Sequence, residues 1–202
     1  MNIAPIILAS KSPRRSQLLT WAEVPFRIIA SHTDESYPAH LTPEEIAQFI
    51  ANEKALAVHQ KLEADRSILP IAGKSKYEVP ILSADTIVVL DGEIIGKPVD
   101  SAQAINTLSR LSGRVHRVIT GVCILHHEQQ ILFADTTHVE FHQLSPAAID
   151  YYVNKYKPFD KAGAYAIQEW IGVVGIKTIT GDFYNVMGLP VSRVLSALVS
   201  FQ

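Results

Sequence analysis

The sequence predicts an α/β protein, and three stretches carry that prediction. Ile6-Ile7-Leu8-Ala9 is an apolar run that ends in a tight turn, and a helix start follows it at Ser12-Pro13. Thr42-Pro43-Glu44-Glu45 combines a cap, a proline and a capping-box glutamate ahead of a long helix. Ile81 to Leu90 is a β-branched, apolar strand with Asp85 in its middle. Strand and helix signals alternate along the chain, as an α/β architecture requires.

The chain has 202 residues, enough for one large domain or for two small lobes around a shared core. Charged residues are 19% and apolar residues 48%, which excludes a disordered chain. A net charge of −2 argues against nucleic-acid or membrane partners, so any phosphate binding must come from a local basic cluster. Cys123 is the sole cysteine, which excludes an internal disulfide and a cysteine-based zinc site. The start, Met1-Asn2-Ile3-Ala4-Pro5, does not read as a secretory signal. No apolar run approaches the roughly 18 residues of a membrane span. The expected location is therefore the cytoplasm.

In chain order, Ser12 is the expected N-cap and Pro13 the first helical residue, with Leu18, Leu19 and Ala22 on one face. Ser10, Lys11, Ser12, Arg14 and Arg15 gather at this helix start, where free N–H groups and the helix dipole favour an anion. An ordinary basic surface helix is the competing reading. Phe26 to Ala30 reads as a strand, and Glu35 lies on the polar loop after it, either solvated or facing a cation. The helix from Thr42 is expected to run to about Lys61. Ile46, Ile50 and Val58 form one row of it, and Lys54 falls in that row. Lys54 either snorkels outward or meets a buried anion. Leu62 to Val79 reads as a polar connection.

Asp85 is costly within so apolar a strand unless it is paired, hydrogen-bonded or metal-bound. Asp91-Gly92 predicts a two-residue hairpin, and Lys97 follows it in Gly96-Lys97-Pro98. Asp100 or Ser101 caps a helix that Gly113 ends. Two long strands, 114–125 and 130–142, and a helix from Ser145-Pro146 come next. Asp160-Lys161-Ala162-Gly163-Ala164-Tyr165-Ala166-Ile167-Gln168 resembles a loop packed tightly on a ligand. Val173 to Ile179 reads as a strand, Gly181 to Asn185 as a turn, and Gly188-Leu189-Pro190 as the opening of a last helix. The histidines, among them His116, His126, His127, His138 and His142, read as ordinary polar positions.

Neither a GxxxxGK[ST] phosphate loop, a GxGxxG fingerprint nor an HExxH pair is present. What remains is a set of cations, Lys11, Arg14, Arg15, Lys54, Lys97 and Lys161, suited to a polyphosphate. Beside it stand two acids, Glu35 and Asp85, suited to Mg²⁺ and to positioning water. Such a set suits hydrolysis of a phosphoanhydride.

Taken together, Leu8-Ala9-Ser10-Lys11-Ser12-Pro13-Arg14-Arg15, Glu35-Ser36, Glu53-Lys54-Ala55, Ala84-Asp85-Thr86, Gly96-Lys97-Pro98, Leu111-Ser112-Gly113, Asp160 to Tyr165 and Asn185-Val186-Met187-Gly188-Leu189-Pro190 resemble the Maf family of nucleoside triphosphate pyrophosphatases. The match runs through nearly the whole chain in the family's order. The resemblance implies a single domain over residues 1–202, an α/β fold with a mixed sheet. Its two lobes would flank a nucleotide cleft, similar to the inosine-triphosphate pyrophosphatases. It implies release of pyrophosphate from a nucleoside triphosphate, a divalent cation (Mg²⁺ or Mn²⁺) as cofactor, and a homodimer. It implies Asp85 as proton acceptor, with Lys54 and Lys97 as further catalytic residues. Ser10, Arg14, Arg15, Thr86, Lys161 and Gln168 would bind substrate, and Glu35 and Asp85 the metal. Arg14, Thr86 and Gln168 stand at the positions associated with base choice and resemble the branch acting on dTTP and UTP, including modified pyrimidine nucleotides. A 7-methyl-GTP branch carries tryptophan, an acid and glutamate there. Two stretches depart from the family pattern: Glu169-Trp170-Ile171-Gly172, in place of a glycine-rich run at the pocket mouth, and the longer polar connection at Lys74-Ser75-Lys76-Tyr77. A house-cleaning enzyme is the leading expectation, and a nucleotide-binding cell-division regulator without essential catalysis is the alternative.

Overall fold

Alternation of strands and helices gives a mixed sheet in the computed structural model, which describes residues 3–65, 73, 75 and 78–200. The first half holds β1 (Ile6–Leu8), α1 (Pro13–Trp21), β2 (Phe26–Ile28), α2 (Pro43–Ala64), β3 (Ile81–Leu90), β4 (Glu93–Ile95) and α3 (Ser101–Leu111). The second half holds β5 (Val115–His126), β6 (Gln129–Phe141), α4 (Pro146–Tyr156), a 3₁₀ turn (Ala162–Ala164), α5 (Trp170–Gly175), β7 (Ile176–Thr180), α6 (Phe183–Met187) and α7 (Val191–Val199). Among the described residues the strand order is β2-β1-β3-β5-β6-β7, with β4 on β3. β1 runs parallel to β2 and β3, whereas β4 is antiparallel to β3 and β7 to β6. The departure at Lys74-Ser75-Lys76-Tyr77 lies largely outside the described residues. None of the described helices is long and apolar enough to cross a membrane.

The chain divides into two units. The first comprises Met1–Asp85, Thr120–Asp135 and Gly188–Gln202, and the second Thr86–Ile119 and Thr136–Met187. In the first unit, α2 lies on the sheet. Its Ala51, Ala55, Val58 and Leu62 join Ile7, Ala9, Ile81 and Cys123 in one apolar cluster. Burial of such side chains supplies the stability of the layer. α2 opens with a complete capping box, since Glu45 N donates to Thr42 Oγ1 and Thr42 N to the Glu45 carboxylate. Gly121 of β5 lets the helix approach this closely: a Cβ there would stand 2.1 Å from the Ala47 carbonyl carbon.

In the second unit, α3 and α4 pack on each other, and Ala104 and Leu108 of α3 and Ile149 and Val153 of α4 are buried. Asp100 caps α3 by accepting from Gln103 N at 2.8 Å, which decides between the two expected caps. Asp91 and Gly92 both take positive φ, as the two-residue hairpin requires.

Three local expectations are corrected. The strand expected over 173–179 begins only at Ile176, and Trp170–Gly175 is helical. Gly172 folds the chain back on Ile167, whose carbonyl oxygen would lie 1.7 Å from a Cβ at that position. Val173 is left 81% exposed, so its β-branched side chain signals no strand. The expected turn at 181–185 becomes the start of α6, where Asp182 accepts from Tyr184 N at 2.7 Å. His116 is not an ordinary polar position. It is buried, stacked on Phe141, and 2.7 Å from the Tyr165 hydroxyl.

Candidate active site

Two periodicities bring Lys54 and Asp85 together. Ser83 and Asp85, two apart on β3, share one face of the strand. Ala51 and Lys54, three apart on α2, share one face of the helix. The faces meet: Ser83 Oγ donates to Ala51 O at 2.6 Å, and Lys54 Nζ donates to Asp85 Oδ1 at 2.6 Å. Glu35 reaches the same ammonium, with Oε1 at 2.8 Å. The side chains of Lys54 and Asp85 are 17% and 13% exposed, so this pair is partly shielded from water. Lys54 therefore does not snorkel; it meets two carboxylates. Asp85 is held by a cation rather than by backbone N–H groups.

The β1–α1 turn delivers the next group. Ile7 and Leu8 pair with Ile81 and Leu82, and Ala9 N donates to Leu82 O, so the turn leaves the sheet beside β3. Ser12 occupies the N-cap position, but its side chain makes no cap hydrogen bond. Ser10 does the local work instead: its Oγ accepts from Ser12 N at 3.1 Å and from Arg15 Nη1 at 3.2 Å. Arg15 is buried, and its Nε donates to Gly188 O at 2.8 Å. Burial lowers the Arg15 pKa and Arg14 adds to the effect, while Asp85 and Glu35 oppose it. The guanidinium stays charged at any working pH. A buried cation in this position gains from an arriving phosphate. The first unit thus brings together Ser10, Arg14, Arg15, Glu35, Lys54 and Asp85.

Thr86, Lys97, Lys161 and Gln168 belong to the second unit. Thr86 is half-buried on β3, while Lys97 and Gln168 are exposed. Gly163 N donates to Gly96 O at 3.3 Å, which ties the Lys161 loop to the Lys97 turn. Gly163 lets this loop lie close on β3, since a Cβ there would stand 3.0 Å from the Val88 side chain. Lys161 is buried; its Nζ lies 2.7 Å from Asp160 Oδ1 and 3.5 Å from Glu169 Oε1. Tyr152, fully buried, hydrogen-bonds the other oxygen of Glu169.

Residues 5–201 match the family described as Maf-like protein. This chain belongs to the Maf family. It is 47% identical over 193 residues to a dTTP/UTP pyrophosphatase of Cytophaga hutchinsonii, covering 96% of this chain and 82% of that one. It is 46% identical to a dTTP/UTP pyrophosphatase of Bacteroides thetaiotaomicron, covering 96% and 94% of the two chains. Among solved structures, a Staphylococcus aureus Ham1 protein overlaps 68% of this chain and 72% of its own, with 14% identity and a TM-score of 0.44.

Three contributors to this Maf-family chain were not singled out from sequence. The Gly188 carbonyl that holds Arg15 sits in the block Asn185 to Pro190, whose residue pattern was visible but whose task was not. Tyr152 gave no signal, because a tyrosine in an amphipathic helix reads as core. Glu169 stood out only as a departure from the family pattern.

Proposed function

We infer that the protein is a nucleoside triphosphate pyrophosphatase that takes dTTP and UTP to the monophosphate and pyrophosphate. One observation carries the reaction: Asp85, a carboxylate within an apolar strand, shares the Lys54 ammonium with Glu35. Relatives named dTTP/UTP pyrophosphatase, 42% to 47% identical to this chain, support the substrate. In this reading Asp85 takes the proton of a water that adds to phosphorus, the α–β anhydride bond breaks, and pyrophosphate leaves with the bond's electron pair. Lys54 holds the carboxylate in place, while Arg15 and Ser10 receive phosphate oxygens. Lys97 and Lys161 are assigned to the triphosphate on the family pattern. Arg14, Thr86 and Gln168 are assigned to the base on the same ground. A carboxamide such as Gln168 can meet both a donor and an acceptor on a pyrimidine edge.

Glu35 and Asp85 fit Mg²⁺ or Mn²⁺, because both carboxylates already converge on one cationic point. No cluster of three or more His, Cys, Asp or Glu that could hold a metal occurs among the described residues. Mg²⁺ takes one or two carboxylates and completes its shell with water and substrate phosphates. When bound, the ion neutralises charge on the phosphate oxygens. The proposed setting is the cytoplasm, and the proposed assembly, on the family pattern, is a homodimer.

The test is a panel of dTTP, UTP, CTP, GTP and 7-methyl-GTP with Mg²⁺ or Mn²⁺ and identification of both products. Preferential turnover of dTTP and UTP with pyrophosphate release is expected. Equal turnover of all bases, or preference for 7-methyl-GTP, overturns the selectivity; orthophosphate as the inorganic product overturns the reaction.

A further inference from the structure

Gln168 is turned out of a stretch that otherwise packs inward. Residues 163–167 are all buried, and Gln168 is exposed. It sits at a corner of the turn 166–169, which closes where Glu169 N donates to Ala166 O at 3.1 Å. One backbone hydrogen bond holds a surface turn only loosely.

Here a side chain from another element locks it. Tyr152, on α4 and 0% exposed, places its hydroxyl between the two ends of the turn. The hydroxyl oxygen accepts from Ala166 N at 3.2 Å, and the hydroxyl proton is donated to the Glu169 carboxylate. The first and last residues of the turn are thus tied to one buried atom. Burial and the bond to Glu169 raise the Tyr152 pKa, so the phenol keeps its proton and remains a donor. Packing holds the other side: the Ile167 carbonyl lies against Gly172, whose N–H donates to Glu169 O at 2.9 Å. Tyr152, Gln168, Glu169 and Gly172 all belong to the second unit.

We propose that Tyr152 is a positioning residue for base recognition, its hydroxyl clamping the turn 166–169 and so fixing where Gln168 presents its carboxamide. This rests on the reading of Gln168 as a ligand of the pyrimidine edge. A carboxamide bonds that edge well only when its donor and its acceptor both arrive in line, because hydrogen bonds weaken steeply with misalignment. Ordering a loose turn at the moment of binding costs part of the gain, and a turn already ordered keeps it. Glu169, which departs from the family's glycine-rich run, holds one end of the clamp.

The experiment compares kcat/KM for UTP with that for a pyrimidin-2-one nucleoside triphosphate. The base of this analogue has the same ring but lacks the 4-oxygen and the N3 proton. Sugar and triphosphate are common to both, so effects on phosphate binding or on the folded fraction cancel in the ratio. The parent, Tyr152→Phe, Gln168→Ala and the double variant are measured, with thermal unfolding followed in each. Glu169→Ala opens the clamp from its other end and carries the test if Tyr152→Phe does not fold.

The parent should favour UTP. Tyr152→Phe should lower that preference about fivefold, the fold-change worth one net hydrogen bond, and Glu169→Ala should act in the same direction. In the Gln168→Ala background, Tyr152→Phe should lower it no further, because its effect passes through Gln168. A ratio unchanged by Tyr152→Phe overturns the proposal; a merely structural role gives that result, with both rates falling together. A further fall in the Gln168→Ala background overturns it too. Gln168→Ala with the parent ratio, or a parent without preference for UTP, refutes the reading of Gln168 instead, and the proposal falls with it.

Discussion

Lys54 Nζ lies 2.6 Å from Asp85 Oδ1, and the contact joins the middle of the longest described helix to the middle of an apolar strand. Strand period and helix period place Ser83 against Ala51 and Asp85 against Lys54 in one register. Asp85, the proposed proton acceptor, is therefore held by the same packing that forms the α2–sheet layer.

Asp85→Asn keeps the shape of the side chain and removes its capacity to take a proton. The expected loss in kcat is about a thousandfold, within the range for a general base. Bound dTTP, measured by calorimetry, should remain. Unimpaired turnover would show that another group receives the proton. Lys54→Met leaves Asp85 and Glu35 facing each other as like charges. Its stability loss should be partly restored in the Lys54→Met/Asp85→Asn double variant, with a coupling of about 2 kcal/mol by chemical denaturation.

Arg15 makes two directed bonds, Nε to Gly188 O and Nη1 to Ser10 Oγ. Arg15→Lys keeps the charge but not the planar fork. KM for dTTP should rise about tenfold, the equivalent of one hydrogen bond to a charged group. An unchanged KM would mean that charge alone matters at this position.

Much of the site was legible because its chemistry conflicts with its surroundings. Asp85 in an apolar strand and Lys54 in an apolar helix row are each costly alone, and pairing resolves both. Ser10 was legible as a site residue, and Ser12 as the cap of α1. Ser12 has the cap position, whereas Ser10 carries the hydrogen bonds, because the Arg15 guanidinium returns to it. The strand expected over 173–179 failed because β propensity reports packing, and exposed Val173 packs on nothing that would favour a strand. His116 was invisible because only tertiary structure buries it between Phe141 and Tyr165.

At Gly121 the β5 backbone lies directly against α2. Gly121→Ala would place a methyl group 2.1 Å from the Ala47 carbonyl carbon, and a helix backbone cannot move aside as a side chain tip can. The expected destabilisation is about 3 kcal/mol, the upper end of ordinary overpacking. Because α2 carries Lys54, activity in the folded fraction should fall as well. Denaturant unfolding together with kcat/KM checks both, and full activity at reduced stability would mean that the helix shifts without disturbing Lys54.

His116 gives the fold its sensitivity to mild acid. Burial pushes its pKa down to about 4, so the folded protein holds it neutral. The unfolded chain protonates it near pH 6.5. Between these two values the unfolded state binds more protons, so stability falls as pH falls. The contribution is complete above about pH 6.5 and gone below about pH 4, amounting to about 3 kcal/mol over that window. Its Nδ1 finds no hydrogen-bond partner among the described residues, so no neighbour offsets protonation there. His116→Gln keeps a polar group for the Tyr165 hydroxyl but does not titrate. Urea unfolding at pH 7 and pH 5 should show a drop in stability for the parent protein and a much smaller drop for the variant. An equal drop in both would place the acid sensitivity in other groups.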